Sequence, residues 1–565
     1  MTGRLVSLLL VLAVALTGCV SVPTSGPIVR VSAVAERVNT GVEIAPGPPQ
    51  QGAGAGTIVD GFLHAMASYQ PDYAVARAYL TAEATARWHP EQGVRIYAEG
   101  NPVSIGEGKA TLKASVVGTI DAAGAYRQSN DVVDHDFGLV RDADGQWRIS
   151  NPPEGLLVSE YLFPSAFTRV VTYFPANDGD WLVPDPRYFP RGEQAHQRAA
   201  AAVAGGATQW LAPAVAAAPE RLALDGVSVD AAGVATIALR RGAADLDATA
   251  RARLAKQFAW TFRQFETVAA IQVGWAGEPA WEVAPHGKTI PTSAFAEADP
   301  VDRSSSRQLF GIHRGRIVRV GEGAAPVTHI EVAPGIADAA VAAVRPDAVA
   351  AASASADGRH LNLAPLSEPG GQSLEPPGAV RRLAFSRQGE LWAVLGGALF
   401  RLGPGSSWGA VPAAVPRGAQ VERFRLSPDG ARIALVIRTP GGNLEMGVAR
   451  VVRTGDRVAV EGWRSIDVSR GSVAPLTVLD AGWRTPDTLL AVVSDGRTTQ
   501  VFAVAQDGSN VTPIGPSALA GLTELAVAPG VPPVVRTADG EVWRYSSDFR
   551  WTAQASELSS VFYPG

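Results

Sequence analysis

The spacing of apolar residues changes character along this chain of 565 residues. In a first stretch, residues 57–164, apolar positions recur at helical intervals. Ile58 and Phe62 illustrate that spacing, and after Trp88 the period falls to two. The first period is typical of a helix with one buried face, and the second of a strand with one buried face. This stretch predicts an α+β domain in which helices precede a curved antiparallel sheet.

A second stretch, residues 165–290, mixes the two periods. Its patterns come in the order strand, helix, hairpin, helix and strand, at residues 170–175, 193–211, 227–237, 247–267 and 270–273. Along the longer helix, Leu254, Phe258, Phe262 and Phe265 recur at helical spacing. Aromatic residues in this arrangement are typical of a core-facing stripe and not of a cofactor site. The stretch predicts an α/β domain.

From residue 304 to 565 only short alternating runs occur, separated by Gly, Pro and Asp. A weak repeat places a turn before an alternating strand, most clearly in the Ser-Pro-Asp-Gly sequence at 427–430. Copies lie at residues 356–359, 384–394, 426–435, 484–492 and 525–530. Repeats of about 40 residues with four short strands each are typical of a β-propeller. We predict about six blades, joined to the preceding domain by a linker at 291–303.

The amino terminus has the pattern of a secretory signal peptide, predicted at 1–18. Arg4 precedes an apolar run at 5–16, which ends in Leu16-Thr17-Gly18-Cys19 and is too short to span a membrane. Cys19 is the sole cysteine, and the tetrad resembles the lipobox of bacterial lipoproteins. That resemblance implies cleavage between Gly18 and Cys19, an S-diacylglyceryl group on Cys19 and N-acylation of the new terminus. The alternative interpretation is a chance cysteine beside a conventional cleavage site.

Residues 19–56 are rich in Pro and Gly, and few large apolar residues occur together there, which predicts a flexible tether behind the lipid. One cysteine excludes an intrachain disulfide framework. The formal charge is -5, and no clustered basic face indicates a nucleic-acid partner. Only four of the 49 basic residues are lysines, a bias that fits a GC-rich genome and suggests an actinobacterial or similar source.

The densest polar group on the first domain is Asp131, Asp134, His135 and Asp136. Two interpretations fit it: charges on the solvent side of an alternating strand, which we favour, or a metal or acid–base site. The eight histidines are scattered without the spacing of a metal-ligand motif, and neither a cofactor nor a metal is predicted.

The run Gly-Ser-Ser-Trp-Gly at 405–409 fits the G-x-S-x-G pattern of a nucleophile elbow. An elbow needs a helix after the serine, and the Ala-Val-Pro sequence at 410–412 does not begin one. We therefore interpret the run as a loop between blades, and we predict no catalytic residue.

Six of the thirteen tryptophans lie in the predicted propeller, at 392, 408, 463, 483, 543 and 551. Most are expected to pack between blades. One or two on loops could anchor a protein partner, because Trp is enriched at interface hot spots.

Each predicted domain resembles a known module. The first unit resembles the cone of nuclear-transport-factor-2-like (NTF2-like) proteins. The Tyr-Phe-Pro…Trp-Leu-Val-Pro phrase at 173–184 resembles the GerMN domain, and the Ser-Pro-Asp-Gly copy resembles the repeat of TolB-like propellers. With the lipobox and tether in front, the order of modules resembles the actinobacterial lipoprotein LpqB family over the whole chain.

That resemblance implies a protein anchored by lipid to the outer face of the cytoplasmic membrane. It also implies contact with the extracytoplasmic domain of the sensor kinase MtrB, and through the response regulator MtrA an effect on cell division and envelope homeostasis. Neither a nucleic acid nor a small-molecule substrate is expected.

A second hypothesis is an envelope glycan-binding or glycan-processing protein that uses the propeller cleft. Glycosidases present two carboxylates to the sugar. The sequence offers Asp429 and Asp480 as candidates, without a pairing between them.

Overall fold

The computed structural model describes residues 46–565 apart from 101–102, 107–108, 178, 193, 218–221, 243–245, 303–306, 322–326, 330–334, 343–349, 366–370, 404–406, 471, 473–474, 516–518 and 547–549. Gly18 and Cys19, the predicted signal peptide and the predicted tether as far as residue 45 lie outside the described residues. Residues 46–565 belong to one unit. No helix that the structure describes is long and apolar enough to cross a membrane.

The first domain packs its helices against a six-stranded sheet. Its helices are α1 Ala55–Ala67, α2 Ala74–Ala78 and α3 Ala82–Arg87, and its strands are β1 Gly93–Tyr97, β2 Ser104–Gly106, β3 Lys109–Asp121, β4 Tyr126–Gln128, β5 Val132–Asp136, β6 Leu139–Arg141, β7 Trp147–Ile149 and β8 Leu156–Ser159. The long strand β3 pairs with β1, β2, β4 and β5, and β6 and β7 form a separate hairpin. Phe62, Trp88 and Phe137 pack together in the core. Helices therefore precede the sheet, as the apolar pattern predicted, but the sheet is mixed and not purely antiparallel, because β8 runs parallel to β1.

The folded domain includes residues that precede its first helix. The Tyr79 hydroxyl donates to the Gly47 carbonyl at 2.8 Å, and the Gly52 N–H donates to Gln146 Oε1 at 2.6 Å. Helix α1 begins at Ala55. The predicted tether, 19–56, thus overlaps the folded domain over its last residues.

The second domain is built from a long hairpin, one short and two longer helices and a four-stranded sheet. Its elements are α4 Phe163–Ala166, β9 Phe167–Pro175, β10 Leu182–Pro190, α5 Ala195–Gly205, β11 Leu224–Val229, β12 Val234–Leu239, α6 Ala248–Phe262, β13 Ala270–Trp275 and β14 Ile290–Pro291. The sheet order is β11-β12-β13-β14, with β12 and β13 parallel across α6. Phe258 and Phe262 of α6 are fully buried, which confirms that this face belongs to the core.

The two longer helices of the second domain are shorter than predicted, and α6 is so at its C-terminal end, Phe262. Helix α5 ends at Gly205 because Gly206 has a φ of 89°, a conformation that glycine adopts without strain. Helix α6 begins after Asp247, whose carboxylate accepts the Ala250 N–H at 2.7 Å and caps the first turn.

The third domain has six four-stranded sheets, and the predicted number of blades is therefore confirmed in the part of the chain that the structure describes. Blade 1 combines β15 Leu309–His313, β16 Arg316–Val320 and β17 Val327–His329 with the last strand, β38 Leu558–Phe562. Blade 2 contains β18 Ile336–Val341, β19 Ala350–Ser355, β20 Leu361–Pro365 and β21 Gln372–Leu374, and blade 3 contains β22 Val380–Phe385, β23 Leu391–Leu395, β24 Ala398–Leu402 and β25 Trp408–Val411. Blade 4 contains β26 Gln420–Leu426, β27 Arg432–Arg438, β28 Leu444–Thr454 and β29 Arg457–Ile466. Blade 5 contains β30 Thr477–Thr485, β31 Thr488–Ser494, β32 Thr499–Ala505 and β33 Val511–Ile514, and blade 6 contains β34 Leu522–Ala526, β35 Val534–Thr537, β36 Val542–Tyr545 and β37 Trp551–Ala555. Because the last strand completes the first blade, the sheets close into a ring.

The irregular spacing of the sequence repeat has a structural reason. Four copies fall on the turn between the first and second strands of a blade, whereas the copy at 356–359 joins β19 to β20. Blade 4 also contains two unusually long strands, of 11 and 10 residues, which lengthen the interval to the next copy.

The inner strands form a ring, and each has a β-bulge at the same place. The residue that follows the bulge is polar in every blade: Asp338, Arg382, Arg423, Asp480, Glu524 and Ser560. In three blades its carboxylate accepts a backbone N–H of the next inner strand: from Leu383 to Asp338, from Leu525 to Asp480 at 2.9 Å and from Val561 to Glu524 at 3.3 Å. A bulge leaves backbone groups without a ladder partner, and these carboxylates supply one.

Candidate functional site: the junction of the three domains

One face of the propeller is covered by the second domain. We call it the docked face, and it comprises the turns at 386–390, 427–431, 486–487 and 506–510. The hairpin β9–β10 and the segment 208–215 lie against this face. The repeat turns that identified the propeller in the sequence therefore also hold two domains together.

A buried arginine, Arg432, lies at the centre of the docked face. Its guanidinium donates to the carboxylate of Asp429 and to Oε1 of Gln506, and Nη1 donates to the Pro184 carbonyl at 3.2 Å. Asp429 also accepts the hydroxyl of Ser427 at 2.8 Å, within the same turn. A buried charge is strongly destabilising without a partner, so this network fixes the Ser-Pro-Asp-Gly turn against the second domain.

A second buried ion pair fixes the loop that follows α5. Asp185 accepts the backbone N–H of Thr208 at 2.8 Å and its hydroxyl at 2.9 Å, and Arg187 donates to Asp185 at 2.9 Å. Arg187 also donates to the Gly206 carbonyl at 2.6 Å. These contacts position Trp210, which follows two residues later.

Two tryptophans of the second domain anchor it to the propeller. The Trp181 indole N–H donates to the Asp429 carbonyl at 2.8 Å, and the Trp210 indole N–H donates to the Gly462 carbonyl at 2.6 Å. Arg387 lies over the Trp181 ring at 4.2 Å, and Arg464 lies over the Trp210 ring at 4.6 Å. Aromatic rings with a satisfied polar end are typical of interface anchors.

The carboxylate of Asp487 connects blade 5 to the hairpin of the second domain. Arg169 donates to it at 2.5 Å. Burial acts to raise the pKa of Asp487, but Arg169, the Thr485 hydroxyl and Arg432 together outweigh burial and hold that pKa below its ordinary value. Asp487 is therefore ionised and paired across the domain boundary.

The first domain reaches the same junction. Gln128 accepts the Asp467 N–H at 2.8 Å and donates to the Gly508 carbonyl at 2.8 Å. Arg470 forms an ion pair with Glu160 at 2.8 Å and donates to the Tyr126 hydroxyl at 3.2 Å. All three domains therefore contact one another through defined polar contacts.

The polar group predicted on the first domain consists of local contacts. Asp134 pairs with Lys113 at 3.4 Å on the exposed side, Asp131 accepts the Ser129 hydroxyl, and Asp136 accepts the N–H groups of Ala110 and Gly138. His135 contacts the Asn151 carbonyl at 2.9 Å, and burial lowers its pKa. No group of three or more possible metal ligands occurs among the residues that the structure describes.

The serine run at 405–409 lies between β24 and β25, two strands of blade 3. It is a connection within one blade, so the interpretation as a loop between blades was wrong in that detail. Residues 404–406 lie outside the described part, and the run continues directly into the strand β25. A nucleophile elbow needs a helix at that point.

The two carboxylates considered for a glycan site are both buried. Asp429 is paired with Arg432, and Asp480 accepts the N–H groups of Ala481 and Leu525 at 2.9 Å each. Neither is presented to a cleft where a sugar could reach it.

The propeller tryptophans behave mostly as predicted. Trp392 and Trp483 are buried, and the other four are half-buried. The tryptophans that anchor a protein surface are instead Trp181 and Trp210, and the surface that they contact is this chain's own propeller. Sequence reasoning missed both because an interface anchor and a core tryptophan look alike in one sequence.

Fold and junction together define a class of protein: a multidomain chain with an amino-terminal α+β domain, a GerMN-like domain and a carboxy-terminal propeller. Family models match in the same order. The model described as "Lipoprotein LpqB, N-terminal domain" matches residues 48–164, "Sporulation and spore germination" matches 171–280, and "Lipoprotein LpqB beta-propeller domain" matches 315–564.

Full-length relatives agree with these models. A protein named Lipoprotein LpqB from Cutibacterium acnes is 31% identical over 589 residues, which cover 97% of each chain. Another of that name from Thermobifida fusca is 26% identical and covers 98% of this chain and 97% of its own. The present chain belongs to the Lipoprotein LpqB family, and membership indicates a membrane-anchored lipoprotein.

Among solved structures, a chain of a nidogen/laminin complex aligns with 45% of this chain and 97% of its own, at 10% identity and a TM-score of 0.34. A similarity at that level carries no inference about function.

Proposed function

We propose that this protein is a lipid-anchored, extracytoplasmic and non-catalytic partner of a two-component sensor kinase similar to MtrB. In that role it would modulate signalling that affects cell division and envelope homeostasis. The observation that carries the proposal is the family's full order of modules, joined here by buried contacts into one unit. Such a unit presents one defined surface to a partner.

The lipid on Cys19 is an essential part of this proposal. Since residues from Gly47 onward contact the first domain, the tether between Cys19 and Pro46 contains 26 residues. As the flexible tether that we predict, 26 residues would give an average reach of about 30 Å. Anchoring in the same membrane then gives the kinase's exposed domain a high effective concentration of this protein.

Crosslinking in the native membrane, followed by identification of partners, tests the proposal. We expect the anchored chain to crosslink to the extracytoplasmic domain of a sensor kinase. Cys19→Ala should lose both the crosslink and the signalling effect, although its domains fold normally. Ser21→Ala is a matched control two residues away, and it should behave as the native chain does.

Two outcomes would contradict the proposal. One is normal signalling by the secreted, unanchored Cys19→Ala protein. The other is a set of crosslinked partners that contains no sensor kinase.

A further inference from the structure

Strand β5 of the first domain is an edge strand. Among the described strands it pairs with β3 alone, from Thr111 opposite Asp136 to Ser115 opposite Val132. Val132 is 61% exposed and the Asp134 side chain is 58% exposed, so no part of the described structure covers them. An open edge of this kind presents backbone N–H and C=O groups that can pair with another chain.

The hydrogen bonds to β3 show which backbone groups of the edge point outward. Asp131 and Phe137, which flank β5, each form a backbone hydrogen bond with a residue of β3, at 2.8 and 2.9 Å. Hydrogen-bonded and non-hydrogen-bonded pairs alternate along an antiparallel ladder. The backbone groups of Val132 and Asp134 therefore point away from β3. The open stretch ends at Asp136, whose carbonyl accepts a side-chain N–H at 2.6 Å.

The side chains on the outer face of this edge are mostly acidic. Val132, Asp134 and Asp136 share that face, and Lys113 across the ladder pairs with Asp134 at 3.4 Å. An exposed ion pair contributes little, so Asp134 remains available to another cation. The surrounding domain, residues 57–164, has 14 acidic and eight basic residues. Charge at an edge prevents two identical copies from pairing, and it favours an extended segment of opposite sign.

We propose that the open edge of β5 is a docking surface for an extended segment of a partner protein in which basic and apolar residues alternate. The segment adds a strand to the sheet through the backbone groups of Val132 and Asp134. Its basic side chains face the carboxylates of Asp134 and Asp136, and its apolar side chains lie on the opposite face, beside the buried Val133. This surface is separate from the docked face, and the proposal does not require the partner to be a sensor kinase.

Binding of a synthetic peptide to the full-length, detergent-solubilised protein tests the proposal. The probe is acetyl-Ser-Val-Lys-Val-Lys-Val-Ser-amide. It is compared with the same peptide in which glutamate replaces lysine and with one whose central backbone nitrogens are methylated. The glutamate peptide lacks the complementary charge, and the methylated peptide lacks the backbone donors. We expect each of these two to bind more weakly by about tenfold or more, as measured by fluorescence anisotropy.

Two variants of β5 separate the backbone contribution from the charge contribution. Val132→Pro removes an outward N–H but no hydrogen bond to β3, and edge strands accept proline at such positions. We expect it to weaken binding of the lysine peptide by about tenfold or more. Asp134→Asn should also weaken binding. Asp144→Asn, the same change of charge at an exposed position of the first domain, should not.

Amide hydrogen exchange on the native protein keeps the test independent of how the variants fold. The bound lysine peptide should slow exchange at Val132 and Asp134. Equal binding of the methylated peptide would reduce the contact to charge attraction, and equal binding of the glutamate peptide would remove the charge selection. Either result overturns the proposal, as does the absence of binding up to about 1 mM peptide. Exchange that slows with protein concentration alone would assign the edge to a second copy and would overturn it as well.

Discussion

At the scale of single residues, arginine supplies most of the charged contacts between domains. Arg432, Arg450 and Arg387 each donate across a boundary to a backbone carbonyl, of Pro184, Trp210 and Pro300 respectively. A guanidinium has five donors in a rigid fork, so it can serve a carboxylate and a carbonyl at once. The arginine-rich composition fits a GC-rich genome, and the structure shows that some of these residues also have a specific structural role.

Arg432 and Arg438 provide a direct comparison at this scale, because they begin and end the same strand. Arg432→Met leaves Asp429 buried without its partner, and we expect a loss of about 3–5 kcal/mol in the free energy of unfolding. Arg438→Met breaks an exposed pair with Glu422 and should cost less than about 1 kcal/mol. Urea denaturation followed by tryptophan fluorescence measures both. Equal effects of the two substitutions would show that the buried pair does not stabilise the docked face.

At the scale of elements, the inner strands combine a bulge with a polar residue. In blade 2 that residue is Asp338, which pairs with Arg382 at 3.5 Å while its Oδ2 is buried without a partner in the described structure. The pKa of Asp338 is raised to about 6: burial is the largest cause and Glu524 adds to it, whereas Arg382 and Arg425 act in the opposite direction. Blades that do not adjoin therefore influence one another across the ring.

The raised pKa predicts a pH dependence of stability. Between the unfolded value of 3.8 and about 6, the folded state binds more protons than the unfolded state. The contribution of Asp338 to the free energy of unfolding is therefore largest below pH 4. It falls by on the order of 3 kcal/mol as the pH rises to 6. Asp338→Asn should flatten this part of the pH profile of the unfolding midpoint, whereas the exposed Asp456→Asn should leave it unchanged. An unaltered profile in Asp338→Asn would assign the dependence to another group.

At the scale of the whole molecule, the second domain and the propeller share a buried hydrophobic contact. Phe174, Val183 and Leu211 pack with Ala431 of the propeller, and Trp181 and Trp210 lie at the edge of this cluster. The docked face is consequently occupied within the chain. A partner protein must bind elsewhere on the propeller or on the other two domains.

Removal of both anchors tests this arrangement. In the double variant Trp181→Ala/Trp210→Ala, we expect the domains to separate without unfolding, because each domain retains its own core. Amide hydrogen exchange at 427–431 and 506–510 should accelerate by about tenfold or more. Trp543→Ala, a half-buried residue of blade 6, serves as the control. Unchanged exchange in the double variant would mean that the polar contacts alone hold the domains.

The class and order of the domains were predictable because each has a local signal. Helical spacing around Phe62 and Phe258, and turns such as Ser427-Pro428-Asp429-Gly430, depend only on neighbouring residues. Element ends were less predictable, as at Gly205, because one glycine ended a helix whose apolar pattern continued. The roles of Asp429 and Asp480 could not be inferred from the sequence. The Asp429 carbonyl accepts the indole N–H of Trp181, which is 248 residues away along the chain, and Asp480 follows a bulge and accepts the N–H of Leu525.

By itself, the sequence determined the three folding units, the approximate number of blades and the absence of a recognisable catalytic motif. Only the tertiary structure decided that the repeat turns form a docked face and that Trp181 and Trp210 anchor it. The physical reason is the range of the interactions. Periodicity and turn chemistry act over a few residues, whereas a buried charge is stabilised by whichever partner the fold brings to it, here from as far as 248 residues away along the chain.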